Sequence, residues 1–169
     1  MRHSRSVLAS AAVVLVSLLT PATALAIEPS PSPMQQLVDD VIEEHGGVQT
    51  GWNEVTWDEG DIMLTIDPQL GERSVSARVD AAPAAAAKDN CAAGKYCAYA
   101  AAFYGGSKLT YSACPATYTS FSVIGAVRSI KNSRTSGTVR AYNGSTVKST
   151  MSAGQGSSNI SGITKITCS

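Results

Sequence analysis

Between residues 34 and 42 the apolar side chains Met34, Leu37, Val38, Val41 and Ile42 recur at three- and four-residue spacing, with Asp39, Asp40, Glu43 and Glu44 on the other side. This spacing predicts an amphipathic helix with one apolar stripe. Ser32 is placed as its N-cap, Pro33 as its first residue and Gln35 as the third residue of a capping box, while Gly46-Gly47 stops it. A helix of about three and a half turns is marginal alone in water, so the stripe must dock on something. Period-two alternation follows. Val55 and Trp57 alternate with Glu54, Thr56 and Asp58, Glu59-Gly60-Asp61 turns the chain, and Ile62, Leu64 and Ile66 alternate with Met63 and Thr65. That pattern predicts a β-hairpin with one apolar face. Residues 81–87, A-A-P-A-A-A-A, are low in complexity and read as a linker or a short helix, with a boundary at about residue 88.

Beyond residue 90 no sustained helical period appears. Short β-type runs take over at Tyr96–Tyr99, Lys108–Tyr111, Ser122–Ile124, 127–131, 138–142, 146–150 and 163–168, separated by glycines and by Asn143-Gly144. Many short strands at this spacing predict an all-β sandwich or barrel. Of the 80 residues after Asp89, 23 are Ser or Thr, which suits the solvent face of such sheets.

Charge sharpens the division. The whole chain of 169 residues is formally neutral, yet residues 27–89 carry thirteen acids against Arg73, Arg78 and Lys88. Residues 90–169 carry eight bases and no acid. The predicted organisation is therefore a leader at 1–26, an acidic helix-and-hairpin segment at 27–88, and a β-domain at 89–169. The segment is read as an accessory or propeptide-like element, with Arg78 a candidate processing point. Its apolar faces either pack on each other or dock on the basic domain, with Trp57 holding the dock.

The leader has the marks of a secretory signal peptide: Arg2, His3 and Arg5, an apolar run at 7–19, then Ala24-Leu25-Ala26. Its apolar run falls short of the roughly 20 residues that span a hydrocarbon core. The expectation is an exported, extracellular chain beginning at Ile27, without membrane contact after cleavage. In that compartment the four cysteines Cys91, Cys97, Cys114 and Cys168 read as two disulfides. Three pairings are open; the preferred one is Cys91–Cys97, closing a tight turn, with Cys114–Cys168, tying the chain end to its middle. Their spacing makes no zinc site.

Catalytic readings are weak throughout. After the leader the only histidine is His45, at the helix end, where a capping or dipole role explains it. No H-E-x-x-H pattern or P-loop occurs. Glu54, Asp58, Glu59 and Asp61 could supply a glycosidase-like carboxylate pair, but acids around a turn more often form a solvated tip. The bases after residue 90 are single and spread, which argues against nucleic acid; a cell-wall or polyanion surface suits them better.

The run Cys91-Ala-Ala-Gly-Lys-Tyr-Cys97-Ala-Tyr99, continued by Phe103-Tyr104-Gly105-Gly106, resembles the opening of secreted actinobacterial βγ-crystallin-like proteins, the streptomycete metalloproteinase inhibitors. Tyr99, Tyr104 and Gly106 match the Greek-key signature, with Ser129 at its later serine. A fainter second copy has Tyr142 answering Tyr99 and Thr167 answering Ser129, with no aromatic–glycine corner around Lys148. The resemblance implies an all-β, βγ-crystallin-like Greek-key sandwich preceded by the helix and hairpin, and it gives these residues a role in the fold. The family's calcium motif lacks its carboxylates here, so no metal and no cofactor are expected.

What the resemblance implies about function is a non-enzymatic, secreted inhibitor of metalloproteinases, expected as a monomer, acting by a rigid loop in the protease cleft. Tyr118, Thr119, Ser120 and Phe121 are the candidate inhibitory loop, with Phe121 either its apolar contact or a core residue. The competing expectation is a non-inhibitory crystallin-like effector or a wall-binding module.

Overall fold

A computed structural model describes residues 30–70 and 90–169. The leader, the alanine-rich stretch, the boundary near 88 and Arg78 lie outside the described residues. One helix, α1 (Pro33–His45), is followed by strands β1 (Val48–Gly51), β2 (Glu54–Trp57) and β3 (Ile62–Thr65). After residue 90 come β4 (Tyr96–Tyr99), β5 (Lys108–Tyr111), β6 (Ala116–Tyr118) and β7 (Ser129–Asn132). The chain ends with β8 (Val139–Asn143), β9 (Thr146–Met151), β10 (Gly156–Ser157) and β11 (Lys165–Cys168). None of the helices among the described residues is long and apolar enough to cross a membrane.

Helix α1 starts where its cap directs: the Gln35 N–H donates to Ser32 Oγ at 3.1 Å. Only half of the capping box forms. The Gln35 amide donates to Asp39 at 2.8 Å and to Gln49 at 3.0 Å instead of reaching back to the Ser32 backbone. The stripe behaves as its spacing requires, with Met34 and Val38 buried and Leu37, Val41 and Ile42 packed against the same core. At the far end Trp57 Nε1 donates to the His45 carbonyl at 3.0 Å, satisfying one of the carbonyls a helix terminus leaves open. Gly47 permits that approach: at φ 104° it has no Cβ, and one built there would lie 2.8 Å from the Trp57 ring.

Two antiparallel sheets form the body. One has seven strands in the order β1-β2-β3-β5-β4-β7-β10, the other four in the order β6-β11-β8-β9. Strands β4 to β7 make one Greek key and β8 to β11 a second. In each key the first strand lies between the second and the fourth, and the third crosses to the other sheet. Thus β6 pairs β11, and β10 pairs β7. This exchange of third strands builds a βγ-crystallin-like sandwich, because each key completes the sheet of the other.

The acidic hairpin is joined to this sandwich through its backbone. Strand β3 pairs β5 over Ile62↔Tyr111, Met63↔Thr110, Leu64↔Leu109 and Thr65↔Lys108. The described residues from Pro31 onward accordingly form one compact unit. Val55, Leu64 and Ile66 share a core with Leu109, Tyr111, Phe121, Ile130 and Ile166. Burying one such aliphatic side chain is worth about 1.5–3 kcal/mol, more than a surface ion pair at about 0–1 kcal/mol. Ladder bonds and apolar packing therefore carry the junction more than the opposite net charges do.

Several elements differ from the sequence pattern. Ser122–Ile124 is a 3₁₀ turn rather than a strand, closed by Ile124 N–H to Phe121 O at 3.1 Å and Gly125 N–H to Ser122 O at 2.8 Å. The run at 127–131 becomes strand only from Ser129. In the second key Lys165, not Thr167, stands opposite Tyr142 and so holds the place of Ser129, since Thr167 pairs with Arg140. The Lys165 ammonium lies 4.3 Å from the centre of the Tyr142 ring, a cation–π contact in place of the first key's hydroxyl.

Candidate inhibitory surface

Two regions of the β-domain hold the residues singled out from the sequence: the aromatic corner after β4 and the loop after β6. At the corner, Ala101 N–H bonds to Gly105 O at 2.9 Å and closes a tight turn. Ser129, fully buried opposite Tyr99 in the ladder, donates from Oγ to Ala101 O at 2.7 Å and accepts from Tyr104 N–H at 3.0 Å. The Tyr104 ring meets that of Tyr99 edge-on with centroids 5.6 Å apart. Gly106, at φ 74°, lies where a Cβ would come within 3.3 Å of Ala100 Cβ and Ala101 N. The corner thus brings Tyr99, Tyr104, Gly106 and Ser129 into one hydrogen-bonded turn.

This turn also carries strain. Phe103 has φ 57° and Tyr104 φ 63°, a left-handed conformation that costs a non-glycine residue roughly 1–2 kcal/mol. The Tyr104 N–H bond to Ser129 and the Phe103 N–H bond to Ser158 O, at 2.7 Å, hold both residues there. Phe103 nevertheless remains 58% exposed.

The candidate loop is built differently. Cys114 is bridged to Cys168 and Cys91 to Cys97, so a disulfide stands close to either end of the β4–β6 region. Strand β6 then adds to the edge of the four-stranded sheet. Tyr118 stacks on Tyr111 with centroids 4.3 Å apart, and Tyr111 on Tyr96 at 5.2 Å. Tyr96 donates its hydroxyl to Ala113 O at 3.2 Å. Burial pushes the phenol pKa of all three up, and Asp61 and Asp58 add to the effect at Tyr118. They remain neutral at ordinary pH and serve as apolar filler with polar tips.

Beyond Tyr118 only Thr119 and Ser120 of the candidate loop are exposed. Phe121 is 7% exposed and belongs to the core, packed there because the 3₁₀ turn that follows folds the chain inward. It cannot serve as the apolar contact of a docking loop without leaving that core. Thr119 and Ser120, with Tyr118, line a cleft of about 410 Å³ that is also walled by His45, Trp57 and Asp58. Its far wall comes from the acidic segment. That segment was not part of the loop inferred from sequence, and the β3–β5 ladder that brings it there has no local sequence signal.

Of the residues considered for catalysis, His45 and Asp58 line the cleft just described, and Glu54, Asp58 and Glu59 line a shallow hollow beside it. His45 sits at the C-terminus of α1 with Nε2 3.7 Å from Glu44 Oε1. Asp58, Glu59 and Asp61 are exposed at the hairpin tip, where Asp58 and Glu59 have φ 50° and 55°. Among the described residues no group of three or more His, Cys, Asp or Glu side chains is placed to hold a metal ion.

A small two-key sandwich braced by two disulfides is a scaffold of the kind used by proteinaceous inhibitors. Residues 84–153 match the model of peptidase inhibitor family I36. That match makes this part of the β-domain similar to the family, and with the fold it supports an inhibitory, non-enzymatic role. No curated protein and no solved structure matched the chain significantly.

Proposed function

We propose that this chain is a secreted inhibitor of metalloproteinases, which it blocks by placing a preorganised surface of its β-domain in the protease cleft. The observation carrying this reading is that the family match at 84–153 falls on the disulfide-braced Greek-key region. Preorganisation is the physical advantage of such a scaffold, since a loop already fixed by bridges and ladder bonds has little left to order on binding. Thr119 and Ser120 are the loop positions proposed to meet the enzyme. The acidic segment is proposed to act as an accessory element, with β3 covering the β5 edge that the β-domain would otherwise expose to pairing. Export through the leader places the inhibitor beside secreted proteases.

The test is a titration of a thermolysin-type zinc protease with the purified chain from Ile27, beside a serine protease. Stoichiometric loss of the zinc enzyme's activity at micromolar inhibitor or below, with the serine enzyme untouched, is expected. Full activity of the zinc enzyme at those concentrations contradicts the assignment.

A further inference from the structure

The chain has two phenylalanines, and the structure uses them in opposite ways. Phe121 is spent on the core, which leaves the candidate loop without an apolar contact. We propose that Phe103 is the aromatic anchor of the inhibitory surface, inserting from its fixed turn into an apolar pocket of the target peptidase. This rests on the inhibitory reading above and adds to it a residue and a pocket chemistry.

Three observations converge on it. Phe103 is 58% exposed, so the fold gains little from its ring. Its φ of 57° suits Gly, Asn or Asp, so the backbone also gains nothing from a phenylalanine. Its turn is already rigid: the Phe103 N–H is held by Ser158 O, Tyr104 by Ser129 Oγ, and Ala101 by Gly105 O. An aromatic ring that serves neither packing nor conformation, on a turn that needs no further ordering, has the properties of a binding hot spot. Trp52, 63% exposed, is the rival aromatic, but it lies in the acidic segment outside the matched residues 84–153.

The ring itself sets the kind of pocket. Asp67 and Lys108 both line the hollow beside Tyr104, Gly105 and Gly106, so the charges next to the turn are mixed and favour no one sign of partner. The complementary partner is an apolar pocket able to take an aromatic ring.

The experiment measures Ki against the zinc protease, together with melting temperature, for wild type, Phe103→Asn, Phe103→Gly and Phe103→Tyr. Asn and Gly both tolerate the left-handed backbone, so at least one fully folded variant is available. The expected result is a melting temperature equal to or above wild type for Asn and Gly, with Ki raised 30-fold or more, and Ki within threefold of wild type for Tyr. Wild-type inhibition with Ki unchanged in a folded Asn or Gly variant overturns the anchor and leaves the inhibitor reading intact. A wild type that does not inhibit overturns both.

Discussion

The turn at 101–106 and the loop at 118–124 lie in the same Greek key and each carries one phenylalanine, yet topology gives the two rings opposite fates. Phe121 follows an edge strand and precedes a 3₁₀ turn that folds inward, so its ring closes the sandwich at 7% exposure. Phe103 lies inside a hairpin folded back over Tyr99, where the left-handed backbone and three hydrogen bonds turn its ring to solvent. Hydrophobicity alone does not separate the two positions. What separates them is whether the local backbone returns toward the core or away from it, and the outward one is the position free for recognition.

The largest effect expected from this contrast is at the buried ring. Phe121→Ala removes a core aromatic and should cost about 3–5 kcal/mol in a urea titration. A loss below about 1 kcal/mol would mean that the loop does not close the core. The bridges come next. Removing Cys114 and Cys168 together opens a loop with a sequence separation of 54, against 6 for Cys91 and Cys97. The chain-entropy account values them at roughly 4 and 2.4 kcal/mol, so the first double variant should melt lower than the second. Equal melting temperatures would contradict that ranking.

Ser129→Ala tests the scaffold beneath the outward ring. It leaves Ala101 O and Tyr104 N–H without their shared partner, a loss of about 1–3 kcal/mol. Faster hydrogen exchange should follow at the Phe103 and Tyr104 amides; unchanged exchange there would show that the turn does not depend on Ser129. Smallest of all is the stability change at the exposed ring. Phe103→Asn should leave stability unchanged or raise it by up to about 1 kcal/mol, because Asn accepts φ 57° more readily. A loss beyond about 1 kcal/mol would show that the ring packs.

Local signals in the sequence were clear and long-range ones were not. Ser32, Pro33 and the 3–4 spacing from Met34 to Ile42 define α1 because capping and amphipathicity are encoded within a few residues. The turn at Glu59-Gly60 and the alternation on each side likewise define β2 and β3. By contrast, β1, β6 and β10 are short, with little apolar alternation, and each becomes a strand only because a distant partner supplies its ladder. The pairing of β3 with β5 crosses more than 40 residues and leaves no periodicity to read. The same limit explains the second key: with the aromatic–glycine corner gone, only cross-strand register reveals that Lys165 and not Thr167 faces Tyr142. At the candidate surface, the spacing of Tyr99, Tyr104 and Gly106 was legible as a fold signature. The exposure of Phe103 and burial of Phe121 depend on backbone direction, which composition does not encode.

The most direct measurement is amide hydrogen exchange of the chain from Ile27, alone and with saturating zinc protease. The account predicts new protection in the β-domain, strongest across residues 101–105 and extending to Thr119 and Ser120, with the core turn at Ser122–Ile124 unchanged. Protection confined to the acidic hairpin around Trp52 and Glu59, or none in the β-domain at saturation, would contradict it.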